Sequence, residues 1–189
     1  LAEEYLSLAE SKDIKYVIDI PNKTLLSWYD REKLEKVITN LLSNAFKFTS
    51  AGGTVSCRLK IFNGAPELGN PWIRLLVADT GSGIPEQAKE KIFDRFYRGE
   101  ENASRFSEGT GIGLAITKEL VKIMHGEILM RSKIGEGSIF MVTFPTGYDH
   151  LKPEEYILKE PENLQDSETP LLAQGGLLPL EKQLENGDI

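Results

Sequence analysis

Gly109-Thr110-Gly111-Ile112-Gly113-Leu114-Ala115-Ile116 is the stretch on which the reading of this chain turns. It sets three glycines and a threonine ahead of an amphipathic run that continues to about Met124. Glycine freedom followed by a helix N-terminus presents unpaired N–H groups and partial positive charge, which suits phosphate. The same letters superficially match a dinucleotide fingerprint. That fold needs a strand directly before the glycines and an acid about 20 residues later. Here the loop-like stretch from Gly81 to about Thr110 precedes them instead. Neither a Walker pattern nor the protein-kinase motif set is present.

Two further polar clusters lie upstream. In Val77-Ala78-Asp79-Thr80-Gly81-Ser82-Gly83-Ile84 a carboxylate follows an apolar strand, where ligands approach a sheet. An ionised carboxylate only accepts hydrogen bonds, so its natural partner is a donor such as the exocyclic amino group of adenine. Gly81 and Gly83 let the backbone turn tightly and approach a flat base. Further back, Asn40-Leu41-Leu42-Ser43-Asn44-Ala45-Phe46-Lys47-Phe48-Thr49 reads as helix. Helical spacing sets Asn40, Asn44 and Lys47 along one rim of its apolar stripe. Two carboxamides and an ammonium there can reach phosphate oxygens and hydrated Mg²⁺, for which a single Asn carbonyl suffices.

The remaining elements follow from periodicity and punctuation. Leu1–Ser11 has helical spacing at Leu1, Tyr5, Leu8 and Ala9, and a strand is expected at Ile14–Ile20. A short strand is expected at Leu25–Trp28. Asp30 then caps a helix from Arg31 to about Phe48, with Leu34, Val37, Ile38, Leu41, Leu42 and Ala45 facing the core. Strands near Thr54–Phe62 and Trp72–Ala78 flank a loop with Gly64, Pro66, Gly69 and Pro71. A short helix is expected after Pro85 and a longer one from about Ile112 to Met124, ending near His125-Gly126. The last strands, about Glu127–Ser132 and Ser138–Pro145, flank the turn Gly135-Glu136-Gly137. The polar stretch Gly99–Glu108, after Ile92-Phe93-Asp94-Arg95-Phe96-Tyr97-Arg98, has the character of a lid. Arg98 is a candidate to neutralise charge on a transferred phosphoryl group, or a surface ion-pair residue.

Composition bounds the class. The 189 residues are 40% hydrophobic, enough for one domain and an appendage. The formal charge of −7 is uneven. Residues 150–189 hold nine acids and three lysines, leaving twenty acids and nineteen bases for residues 1–149. A nearly neutral body with no basic field argues against a nucleic-acid partner. A single cysteine, Cys57, suits a reducing compartment. No run of about 18 apolar residues spans a membrane. With no initiator Met or leader pattern, the sequence reads as part of a longer protein. We expect a domain over 1–149 and an acidic tail over 150–189. Pro153, Pro161, Pro170, Pro179 and Gly175-Gly176 give the tail the character of a linker.

Taken together and in order, these clusters resemble the catalytic ATP-binding domain of sensor histidine kinases. Asn40–Thr49 is similar to the family's N box, Asp79–Ile84 to its G1 box, Phe93–Arg98 to its F box and Gly109–Ile116 to its G2 box. Gly135-Glu136-Gly137-Ser138 is similar to its closing glycine motif, and the match covers about residues 1–147. The resemblance implies an α+β two-layer sandwich of the Bergerat type, a mixed and mostly antiparallel sheet with helices on one face and an ATP lid. It implies ATP and Mg²⁺ as ligands, with Asn44 holding the metal and Asp79 reading adenine. Asn40, Lys47, Phe48, Gly81, Gly83, Ile84, Gly109, Thr110, Gly111, Ile112, Gly113 and Leu114 would complete the nucleotide site. Asn40, Asn44, Lys47 and Arg98 would serve catalysis.

Two departures bear on mechanism. Gyrase-like and chaperone-like relatives of this superfold carry a water-activating Glu one helical turn before the Mg²⁺-binding Asn. That position here is Asn40, which cannot take a proton. The two histidines, His125 and His150, also lie outside the family's His-Glu/Asp phosphoacceptor pattern. His125, before Gly126 at a helix end, reads as a cation favouring the C-terminal dipole. The acceptor is therefore expected on dimerisation helices upstream of Leu1, in a homodimeric parent of which this fragment alone is monomeric. A Ser/Thr-directed relative such as an anti-sigma-factor kinase, or a regulatory nucleotide-binding module, is the alternative. His150-Leu151-Lys152-Pro153-Glu154-Glu155 is similar to hybrid kinases, where a receiver domain follows, so a response regulator or fused receiver is the expected partner. The implied setting is a cytoplasmic domain, compatible with a membrane-bound sensor.

Overall fold

Asp30 begins the element around which the fold is organised. Its side chain accepts a hydrogen bond from the Lys33 backbone N–H at 3.0 Å and pairs with the Lys33 ammonium. This caps α2, Arg31–Phe48. In the computed structural model, which describes residues 1–22, 29–62, 72–98, 110–147 and 150–152, α2 buries Val37, Leu41, Leu42, Ala45 and Phe46. The strand expected at Leu25–Trp28, the Gly64–Pro71 loop, the Gly99–Glu108 stretch, Gly109 and the tail from Pro153 lie outside those residues.

The core that α2 covers is a five-stranded sheet. Its strands are β1 (Lys15–Asp19), β2 (Thr54–Phe62), β3 (Trp72–Asp79), β4 (Glu127–Lys133) and β5 (Gly137–Pro145), in the order β1-β2-β3-β5-β4. Among the described strands only the β1–β2 pair is parallel, as expected for strands joined through a helix. The sheet is mixed and mostly antiparallel, an α+β architecture with its helices on one face.

The residues of that covered face alternate along the strands. Val55 and Cys57 of β2, Leu75 and Val77 of β3, and Phe140, Val142 and Phe144 of β5 form one cluster with the buried face of α2 and with Val121. Val121 belongs to α4, Gly113–Ile123, which packs beside α2. Arg74, Leu76, Met141 and Thr143 stand on the opposite face by the same alternation.

Several element ends differ from the sequence reading. Leu1–Ser11 is not one helix but a 3₁₀ turn, Ala2–Tyr5, followed by α1, Leu6–Ser11. Tyr5 stacks on Phe46 at 5.4 Å between ring centroids and Ala9 is buried, whereas Leu1 and Leu8 remain exposed. The 3₁₀ start rotates Leu1 out of the stripe that a continuous α-helix would form, while Leu8, about 100° around α1 from Ala9, lies off the buried side. Asp79 is the final residue of β3 rather than the first beyond it, because its register with Val55 and Ser138 continues the ladder. Pro85 precedes α3, Glu86–Lys89, as its N-cap. α4 ends as expected: His125 adopts a left-handed φ of 55°, and Gly126 donates to the Val121 carbonyl at 2.9 Å.

Candidate functional site

Two walls meet at the end of the sheet where β3 stops. The rim of α2 contributes Asn40, Ser43, Asn44, Lys47 and Phe48 to an open cleft of about 370 Å³. Its floor is Asp79 at the end of β3 with Ser138 and Phe140 of β5, and Thr110, Gly111, Gly113 and Leu114 close the side at the start of α4. Gly83, Ile84, Pro85, Ala88, Ile92, Tyr97 and Arg98 supply the remaining wall from the segment between β3 and α4. Three clusters far apart in sequence thus share one cavity.

Asp79 is a half-buried carboxylate of that cavity. The Gly81 N–H donates to its Oδ1 at 2.8 Å. Burial pushes its carboxyl above the ordinary aspartate value, while the backbone N–H groups of Gly81 and Ser138 pull in the opposite direction. The two donors leave acceptor capacity on the carboxylate for one more group.

The loop behind Asp79 is held by a relay of short bonds. Ser132 Oγ donates to the Gly137 carbonyl at 2.7 Å, lies 3.0 Å from Ser138 Oγ and accepts the Ile84 N–H at 2.8 Å. Gly135 donates to the Ser82 carbonyl at 2.9 Å. Two glycines make this close fit feasible. Gly83 has φ +72°, and a Cβ there would meet the Lys133 carbonyl oxygen at 2.0 Å. Gly137 has φ +99°, and a Cβ would meet the Asp79 carbonyl oxygen at 1.9 Å. The Gly-Glu-Gly-Ser turn is therefore part of what seats Asp79.

Asn40 occupies a structural position within the wall. Its Nδ2 donates to the Gly113 carbonyl at 3.2 Å and to Thr117 Oγ1 at 3.3 Å. Thr117 is fully buried and donates in turn to the Gly113 carbonyl at 2.9 Å. This triangle ties the first turn of α4 to α2. Opposite it, the Phe96 N–H donates to the Gly111 carbonyl at 2.9 Å, Phe96 having a left-handed φ of 65°.

Of the residues singled out from sequence, Asn40, Asn44, Lys47, Phe48, Asp79, Gly83, Ile84, Arg98, Thr110, Gly111, Gly113 and Leu114 line the cleft. Gly81 is buried behind it, linked to Asp79, and Ile112 is the N-cap of α4 rather than a lining residue. Gly109 lies outside the described residues. Sequence reasoning missed Ser138 and Phe140 as lining groups, along with Thr117 as the clamp. Ser138 and Phe140 are two apart on a strand, so period-two alternation was the available signal. Thr117 gave none, because its partner Asn40 is remote in sequence.

A sandwich of this kind, open at its strand ends between two helices on one face, is the architecture of an ATP-binding catalytic domain. The chain belongs to the family of histidine kinase-, DNA gyrase B- and HSP90-like ATPases, whose model matches residues 29–148. It is 38% identical over 138 residues to hybrid signal transduction histidine kinase D of Dictyostelium discoideum, covering 73% of this chain and 9% of that protein. It is 32% identical over 187 residues to the sensor histidine kinase TmoS of Ectopseudomonas mendocina, covering 90% of this chain and 18% of that one. Among solved structures, full-length ShkA in complex with AMPPNP matches with a TM-score of 0.62 at 28% identity, over 77% of this chain and 29% of that chain. The chain is a histidine-kinase-like ATPase catalytic domain, related to sensor histidine kinases of two-component systems. It spans less than a fifth of the length of these two curated relatives. No described helix is long and apolar enough to cross a membrane.

Proposed function

We propose that this domain binds Mg²⁺·ATP in the cleft and transfers the γ-phosphoryl group to a histidine on a dimerisation helix outside the given sequence. The observation that carries this reading is Asn40. One turn before Asn44, where a hydrolase of this superfold would hold a water-activating carboxylate, stands a carboxamide hydrogen-bonded to Gly113 and Thr117. An amide cannot accept a proton, so water gains no base there. A neutral imidazole needs none, because it brings a lone pair at neutral pH.

The residues divide the work as follows. Asp79 accepts the adenine amino group, and Gly83 and Ile84 lie against the base. Thr110, Gly111 and the N-terminus of α4 receive the phosphates. The donor set suits Mg²⁺, since the Asn44 carbonyl is a hard oxygen ligand for an ion that keeps several waters and phosphate oxygens. When bound, that ion neutralises phosphate charge. Lys47 and Arg98 add positive charge around the transferred group, and the cleft supplies positioning, which is most of what phosphoryl transfer requires. The imidazole nitrogen forms the N–P bond as the bond between the γ-phosphorus and the β–γ bridging oxygen breaks, the electron pair leaving with ADP.

We read residues 1–149 as this catalytic domain and 150–189 as a tail leading toward a receiver domain, with a homodimeric parent supplying the acceptor helices. The test is γ-labelled ATP given to the chain alone and with an added helix bearing a His-Glu/Asp acceptor. The chain alone should hydrolyse ATP very slowly and stay unlabelled. The helix should acquire acid-labile, alkali-stable phosphate. Acid-stable label would point to a Ser/Thr-directed kinase, and no label to a regulatory module. Self-labelling of His125 or His150 would overturn the proposal. Those rings pack against each other at 5.6 Å, beyond the end of α4 remote from Gly113, about 16 Å of helix away.

A further inference from the structure

Asp79, Ser138 and Ser132 form one row across three strands. Register pairs Asp79 of β3 with Ser138 of β5, and Ser138 in turn with Ser132 of β4. Paired residues of a sheet point to the same face, so all three side chains lie on the helix-covered side. Asp79 and Ser138 line the cleft, whereas Ser132 stands one strand further from it. Both serines are buried.

The three contacts of Ser132 fix where the protons of this row lie. Its hydroxyl has one proton and two lone pairs. The Gly137 carbonyl, 2.7 Å away, can only accept, so the Ser132 proton points there. The Ile84 N–H, 2.8 Å away, can only donate and takes one lone pair. Ser138 Oγ, at 3.0 Å, is left with the donor's part, and its proton turns toward Ser132. Ser138 therefore shows the cleft lone pairs and no O–H. The ionised carboxylate of Asp79 beside it also only accepts.

We infer that Ser132 is a positioning residue for base selection: by holding the Ser138 proton, it leaves the inner end of the cleft lined with acceptors alone. This deepens the reading of the cleft as an ATP site and rests on it. A purine with an amino group at position 6 brings donors to that end. One with a carbonyl there sets an acceptor against two acceptors, and each forfeits the hydrogen bond it had in water. Asp79 does not complete this exclusion by itself, since a serine hydroxyl free to rotate would offer its proton to the carbonyl. The same relay holds Ile84, whose N–H is tied to Ser132 and whose side chain belongs to the cleft wall. Selection at the base thus depends on a β4 residue that stands outside the cleft.

Calorimetry on the full chain with Mg²⁺·ATP and Mg²⁺·ITP, whose bases differ at position 6, tests it. The unaltered chain should bind both and prefer ATP. If ATP fails to bind the unaltered chain, the ATP reading falls and the inference falls with it. With ATP bound, Ser132→Ala releases the Ser138 proton, so ITP should gain and the preference for ATP should drop roughly tenfold. Ser132→Ala/Ser138→Ala has no hydroxyl to turn, and ITP should lose that gain. An unchanged preference in Ser132→Ala, or equal weakening of both nucleotides, overturns the inference and leaves the ATP reading standing. So does a relaxed preference that survives in the double variant. Should Ser132→Ala show no cooperative melt, Ser138→Ala with Ser132 in place decides. It should weaken ATP, which loses an acceptor, and leave ITP as in the unaltered chain. ITP losing at least as much as ATP, or neither changing, overturns the inference.

Discussion

Asp79 carries opposite obligations for folding and for binding, and its substitution separates them. Burial raises its carboxyl above the ordinary aspartate value, so the folded chain holds that proton more tightly than the unfolded chain. Its contribution to stability is therefore present below the ordinary carboxylate range and is lost as pH rises through the raised value. Asp79→Asn removes this loss, and at neutral pH the nucleotide-free variant should melt no lower than the parent. ATP binding should weaken about 10- to 100-fold, the roughly 1.5–3 kcal/mol of a hydrogen bond to a charged acceptor. Calorimetry and thermal melting on the same samples check both halves, and unchanged ATP affinity removes Asp79 from the site. Thr117 is the second informative residue. Thr117→Val keeps the shape but leaves the Asn40 amide and the Gly113 carbonyl each short of a partner. It should cost about 1–2 kcal/mol in denaturant unfolding. Thr117→Ser should recover most of that, whereas a pure packing role would let Val pass and penalise Ser.

At the scale of elements, the β4–β5 turn is where backbone geometry can be tested against function. Gly135 and Gly137 both have left-handed φ, but a Cβ at Gly135 meets nothing within 4 Å while one at Gly137 meets the Asp79 carbonyl oxygen. Gly135→Ala should cost about 1–2 kcal/mol of conformational strain alone. Gly137→Ala should cost at least twice that in a melt and should also loosen nucleotide binding, because Asp79 must shift. Equal penalties would dissociate this turn from the site. Elements were largely legible beforehand because their signals are local: Asp30 as a cap, the three-and-four spacing from Leu34 to Ala45, alternation in β2, and apolar runs in β3 and β5. The 3₁₀ start at Ala2–Tyr5 was not, since its apolar spacing fits an α-helix equally well. The site was legible where polar residues broke an apolar pattern, as at Asn40, Asn44 and Asp79. It was illegible where a residue acts through register, as Ser138 does opposite Asp79, or through a partner 77 positions away, as Thr117 does with Asn40.

For the whole molecule, occupancy of the cleft should be readable as stability. Mg²⁺·ATP at a hundred times its dissociation constant should add about 2.7 kcal/mol, a rise in melting temperature on the order of 5–10 °C. The rise should shrink in Asp79→Asn at the same nucleotide concentration. A melt indifferent to nucleotide in the unaltered chain would argue that the cleft is not the ATP site.

The strand order β1-β2-β3-β5-β4 also sets a schedule for the chain as it leaves the ribosome. When Lys133 emerges, α2, Asp79 and α4 have all been synthesised, but the slot beside β3 is still empty. Only β5, the last of the described strands to be made, fills it, bringing Ser138 and Phe140 to the cleft floor and Gly137 against Asp79. A nascent chain that stops between α4 and β5 possesses the side chains of α2, Asp79 and the start of α4 without Ser138, Phe140 and the pairing that aligns them. Competence for nucleotide thus arrives in one late step, so ATP rewards chains that have reached β5 and gives no foothold to those that stop before it.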